Sequence, residues 1–248
     1  MGHERLGVKI FKFIGVFVMR NVSKCLVVAS LVVSGGAFAD NMYVSIGGGI
    51  GKIPAITSSR DFPLLLKSPG IYSTDVNSIK LSFKSSKHFN GAIGYQFGDI
   101  RAEIGIGAIK ANYEKFEQEG GHLFIAKNLS GNIASNNYFL NGYYDFNYSE
   151  TLTPYIGAGV GVSKVKNTLY HSGLYGYING VYSPLPVFKA NVKQTLPAYQ
   201  LIAGTKVNLT NQLALTADYR FLGTIKEMKA LNNRLHNHSI NLGLIFGF

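Results

Sequence analysis

The strongest constraint in this sequence is a recurring segment about ten residues long, apolar on every second position, with glycine or a small polar residue between. A two-residue period is that of a β-strand and gathers the apolar set on one face. In segment 42–51, Met42, Val44, Ile46 and Ile50 oppose Tyr43, Ser45, Gly47, Gly49 and Gly51. In 89–97, Phe89, Ile93, Tyr95 and Phe97 oppose Asn90, Ala92, Gly94 and Gln96. In 100–110, Ile100, Ala102, Ile104, Ile106 and Ala108 oppose Arg101, Glu103, Gly105 and Gly107. Five further segments repeat the pattern, near 137–146, 155–163, 199–209, 213–221 and 239–248.

The connections between segments carry as much information. Gly98-Asp99, Ser149-Glu150-Thr151 and Thr210-Asn211 are short joins suited to hairpins, whereas 53–85, 114–133, 167–193 and 225–235 are long and polar. Long and short connections alternate, as in an up-and-down membrane barrel with short periplasmic turns and long external loops. The reading is therefore all-β: an eight-stranded antiparallel up-and-down transmembrane β-barrel. Beyond residue 39 no apolar run is long enough for a spanning helix, so a membrane role requires such a closed sheet. A soluble barrel or sandwich is the competing fold. It would expose a face made mostly of glycine and uncharged residues, and it leaves unexplained the Tyr and Phe at segment ends, placed as interfacial girdles are.

The N-terminal region has a different character. Arg20 and Lys24 flank a short basic region from Met19, Cys25 begins an apolar run to Val33, and Ala37-Phe38-Ala39 forms an A-x-A cleavage site. The expected organisation is an N-terminal extension and cleaved signal peptide over 1–39, then an outer-membrane barrel over 40–248. Residues ahead of Met19 read as an upstream start or an extended basic region. Cleavage after Ala39 removes the single cysteine, which excludes a disulfide framework or thiolate metal site. It leaves 19 of the 24 Lys and Arg and 12 of the 13 Asp and Glu, a net charge of about +7. That basic balance suits phosphate-rich lipopolysaccharide or acidic glycans; no nucleic-acid motif accompanies it.

Three stretches resemble a known group. Pro154-Tyr155-Ile156-Gly157-Ala158-Gly159-Val160-Gly161, Ala217-Asp218-Tyr219-Arg220-Phe221 and Asn241-Leu242-Gly243-Leu244-Ile245-Phe246-Gly247-Phe248 are similar to the opacity and surface-antigen families of bacterial outer-membrane proteins and to the OmpA transmembrane domain. The resemblance implies a barrel with variable surface loops, serving adhesion or antigenic display. It also implies that Asn241, Gly243, Phe246 and Phe248 form the signal read by the barrel assembly machinery.

Candidate chemistry is sparse. Gly47-Gly48-Gly49-Ile50-Gly51-Lys52 lacks the first glycine and the Ser or Thr of a phosphate loop. His238 and Ser239 fall on opposite faces of one strand, with Glu227 behind them, which argues against a hydrolase; His236 and His238 make an incomplete metal pair. No catalytic residue, metal or cofactor is expected. Arg101, Glu103, Asp145, Lys206, Asp218 and Arg220 all have inward parity, and buried charges persist only when paired. They predict a salt-bridge network filling the lumen. Lys110 and Lys164 have outward parity near the external strand ends and are candidates for lipopolysaccharide contact by snorkelling. The first loop is basic, with Arg60, Lys67, Lys80 and Lys84 within 53–85 and Lys87 just after it, against Asp61 and Asp75, and it carries Leu64-Leu65-Leu66. The functional expectation is a surface protein whose barrel is scaffold and whose four loops serve display, adhesion or contact with host or envelope components. A narrow channel is the alternative, and a lipid-modifying enzyme is a third reading.

Overall fold

The computed structural model describes residues 41–58, 78–119, 129–171, 175–178, 181–184 and 188–248. The expected signal residues, together with Arg60, Asp61, Leu64-Leu65-Leu66, Lys67 and Asp75, lie outside these. Twelve strands follow in order: β1 Met42–Lys52, β2 Ile56–Ser58, β3 Ser78–Phe83, β4 Ser86–Phe97, β5 Ile100–Glu119 and β6 Leu129–Asp145, then β7 Leu152–His171, β8 Tyr175–Ile178, β9 Val181–Pro184, β10 Phe188–Asn208, β11 Leu213–Thr224 and β12 His236–Gly247. Eight of them close a barrel in the cyclic order β1, β4, β5, β6, β7, β10, β11, β12 and back to β1, every pair antiparallel. Closure leaves no strand edge along the membrane-spanning wall. The seam joins the first and last strands, with Tyr43 opposite Gly247, and the Phe248 amide donates to the Met42 carbonyl at 3.0 Å.

The alternation in the sequence sets which face is which. Ile104 is 73% exposed, Ile50 69%, Ile240 66% and Leu242 62%, all on the outer wall. A band of such residues girdling the molecule is stable only against lipid. On β7 it runs from Leu152 through Ile156, Val160 and Val162, about 25 Å of barrel height for a strand of ordinary rise and tilt. Tyr95 with Phe97, Tyr144 with Phe146, and Phe246 with Phe248 pack as ring pairs at the end of the short turns. Gly98 makes the first of those turns at φ +60°, a conformation that a side chain disfavours.

Inside, bulk and space are matched strand by strand. Tyr43 lies opposite Gly94, Tyr143 opposite Gly157 and Tyr155 opposite Gly204. In each pair a Cβ on the glycine would collide with the tyrosine ring. These glycines are seats for rings, which is why small residues recur on the inward face.

The strands run further outward than the expected loops 114–133 and 167–193 allow. β5, β6, β7 and β10 continue past the apolar band, and β3 takes over from β4 as the neighbour of β5, across a bulge between Ser82 and Phe83. Above the band the amphipathic phase inverts. On β7 the outward residues change from Ile156, Ala158, Val160 and Val162 to Lys164, Lys166 and Thr168, while Val165 and Leu169 turn inward and are buried. On β5 the buried set becomes Ile109, Ala111 and Tyr113. Water, no longer lipid, meets the outer face at this level, so apolar residues move to the inside. Loop 53–85 likewise contains β2 and β3, paired as a hairpin.

Candidate functional site

The interior has two layers. The layer towards the short turns is polar and holds the six inward charges. Arg101 Nη2 is 2.8 Å from Asp145 Oδ1, its Nε donates to the same carboxylate at 2.9 Å, and Lys206 Nζ reaches Asp145 Oδ2 at 3.1 Å. Arg101 Nη1 also lies 3.8 Å from Glu103, which accepts hydrogen bonds from Tyr43 Oη at 3.0 Å and Tyr143 Oη at 2.7 Å. Across the lumen Arg220 Nε donates to Asp218 Oδ1 at 2.8 Å, joined by Asn241 Nδ2 at 3.0 Å and Tyr155 Oη at 3.2 Å. The guanidinium carbon of Arg101 stands 4.5 Å from the centre of the Tyr143 ring and 4.9 Å from that of Tyr155. Three cations thus meet three carboxylates, with tyrosines between them as hydrogen-bond donors and cation-facing rings. A cavity of about 20 Å³ lies in this layer, and one of about 50 Å³ spans from Glu103 and Arg220 up to Ile109, Phe139 and Leu222, each with room for a few waters at most.

The sequence reading named the six charges but gave Tyr43, Tyr143 and Tyr155 no role. Their inward parity was visible; that their hydroxyls would seek Glu103 and Asp218 depends on register between strands far apart in the chain.

The outer layer is apolar and was not anticipated. Ile53, Ile56, Leu81, Phe83, Ile109, Ala111, Tyr113, Ile133, Val165, Leu169 and Leu196 join with Met228, Ala230, Leu231 and Leu235 of the segment between β11 and β12. That segment, loop 4, turns back on itself through a bridge between Met228 and Asn233 and inserts Leu231, which is fully buried. Leu235 N donates to Thr224 Oγ1 at 2.9 Å, and Gln194 on β10 clasps loop 4 through the Lys229 amide at 2.9 Å and the Glu227 carbonyl at 3.3 Å. Tyr113 and Asn167 add a buried hydrogen bond between β5 and β7. The barrel therefore rises above the lipid level as a filled platform that carries the loops.

The remaining expected residues are dispersed. Asn241 and Gly243 face inward on β12, whereas Phe246 is on the outer wall beside Phe248. Lys110 and Lys164 are exposed on the outer wall, and Lys164 Nζ lies 5.2 Å from the centre of the Tyr138 ring. Of the loop 53–85 lysines, Lys80 pairs with Glu117 at 3.7 Å. His238 and Ser239 point to opposite sides of the wall: His238 Nδ1 meets Tyr219 Oη at 2.6 Å, whereas Ser239 is buried in the lumen. Among the described residues no cluster of three His, Cys, Asp or Glu could hold a metal.

Relatives agree with this architecture. The chain is 27% identical over 203 residues to a candidate adhesin of Rickettsia conorii, covering 74% of this chain and 78% of that protein. It is 29% identical over 144 residues to outer membrane protein PagN of Salmonella typhimurium, covering 54% of this chain and 56% of that one. Among solved structures, OprG from Pseudomonas aeruginosa superimposes with a TM-score of 0.51 at 12% identity, covering 85% of this chain and 97% of OprG, a likeness of fold. A family model described as the outer membrane protein beta-barrel domain matches residues 25–248. The closed barrel, its lipid-facing wall and this match together make the chain a member of that family and a protein of the bacterial outer membrane.

Proposed function

We propose that this protein is a surface-display adhesin: the barrel is a filled scaffold, and the platform above the membrane presents loops to ligands outside the cell. The observation that carries this reading is the apolar outer layer. Strands β5, β6, β7 and β10 extend past the lipid level, and β2, β3 and loop 4 pack across them. A transport path would have to pass through that packing, whereas a presenting surface gains rigidity from it. The candidate adhesin among the relatives supports the same assignment.

The reading includes export through a signal removed after Ala39, with Ala37 and Ala39 at the cleavage site, and recognition of Asn241, Gly243, Phe246 and Phe248 by the barrel assembly machinery. It assigns no catalysis, because His238 and Ser239 cannot act on one substrate from opposite sides of a wall. The test compares intact bacteria bearing the full chain with bacteria bearing a version whose segment 59–77 is replaced by a short Gly-Ser linker. Attachment to cultured host cells should fall severalfold in the replacement, with surface abundance unchanged. Equal attachment by both, or attachment no greater than that of bacteria lacking the protein, rejects the adhesin reading.

A further inference from the structure

Lysines crowd one side of the outer wall where the amphipathic phase inverts. On four strands the first outward residue beyond the apolar band is a lysine: Lys52 after Ile50 on β1, Lys87 after Phe89 on β4, Lys110 after Ala108 on β5 and Lys164 after Val162 on β7. On β6, between the last two, the equivalent residue is Asn136, directly opposite Lys164 on one side and Ala108 on the other. Lys87 and Lys110 are themselves direct cross-strand partners, and further out Lys166 faces Lys193. All six lysines are exposed. Among the described residues no Asp or Glu faces outward on these strands below this level, and the first exposed carboxylate beyond it on β5 is Glu114. The other side of the barrel is different. There Tyr199, Tyr219, Phe221, His236 and His238 form an aromatic cluster.

Like charges placed opposite one another across strands repel, and the repulsion grows beside a low-dielectric slab. Lys87 and Lys110 on β4 and β5, Lys164 beyond β6, and the Lys166–Lys193 pair of β7 and β10 further out offer a multivalent anion several cationic partners at once. The wall directly beneath is apolar, with Phe89, Ile106, Tyr138 and Val162, so the anion that fits carries acyl chains below its phosphates. We propose that the face formed by β4, β5, β6, β7 and β10 is a binding site for the phosphorylated glycolipid of the outer leaflet, lipid A. In it Lys87, Lys110 and Lys164 take the phosphates, Asn136 bonds between them, and Lys166 and Lys193 meet anionic groups further out. This assignment is independent of what the external loops bind.

The experiment uses the full chain, folded in detergent and incubated with bisphosphorylated lipid A, with retained lipid counted by native mass spectrometry. The triple variant K87Q/K110Q/K164Q should retain roughly tenfold less lipid A than the parent, while K87R/K110R/K164R and the off-wall control K80Q/K115Q retain it. Phosphate-free lipid A should be retained poorly by every form. Folding of each variant is checked by the heat-dependent shift on gel electrophoresis. Equal retention by the folded glutamine variant overturns the site. So does equal retention of phosphate-free lipid A, which leaves acyl contact alone.

Discussion

Asp145 holds two cations at once, with Arg101 at 2.8 Å and Lys206 at 3.1 Å, so Asp145→Ala strands both inside the barrel. Breaking a buried pair from one side costs about 3–5 kcal/mol, because the remaining charge stays desolvated. Urea unfolding of the protein in lipid vesicles should show a loss of that size for Asp145→Ala and a comparable one for Asp145→Asn. A loss below about 1 kcal/mol would mean that Glu103 takes over as partner. At this scale the sequence was informative about direction but not about partnership. Parity placed six charges inward because inward and outward residues differ so sharply in polarity within the membrane. It could not say that Glu103 would sit under two tyrosine hydroxyls, or that Lys206 would choose Asp145 over Asp218, since those pairings depend on strand register and stagger.

Loop 4 reads in the sequence as one of four long polar connections, yet it buries Met228, Ala230, Leu231 and Leu235. Leu231→Ala removes a fully buried side chain from the centre of the outer layer, with an expected cost of about 2–5 kcal/mol. Much of that loss should appear locally, as faster hydrogen exchange over 228–235 and cleavage by trypsin after Lys229 or Arg234 in the folded barrel. Unchanged exchange and no new cleavage would show that β12 holds the segment without Leu231. The strands around it were legible up to Lys110, Lys164 and their neighbours and were lost beyond. A single alternating template, apolar outward, describes β7 as far as Val162 and then fails, because from Val165 onward the same strand buries the other set of residues. The strand does not end there; its surroundings change from lipid to water.

For the whole molecule, a charge-balanced lower layer and an apolar upper layer are packed, among the described residues, across the path that a channel would need. The expected result in planar bilayers is no steady conductance from the purified protein, and a stable, voltage-independent current would refute the filled-scaffold description. The phase inversion also fixes where the barrel floats. Sinking by one residue pair would drag Lys52, Lys87, Lys110 and Lys164 into hydrocarbon, and rising by one would lift Ile50, Phe89 and Val162 into water. Either shift exposes several strands to the wrong solvent together, so the waterline is written into the wall itself. Outer membranes of different thickness should then deform to meet this protein, thinning or thickening at its rim, and leave the presented surface at a constant height above the bacterium.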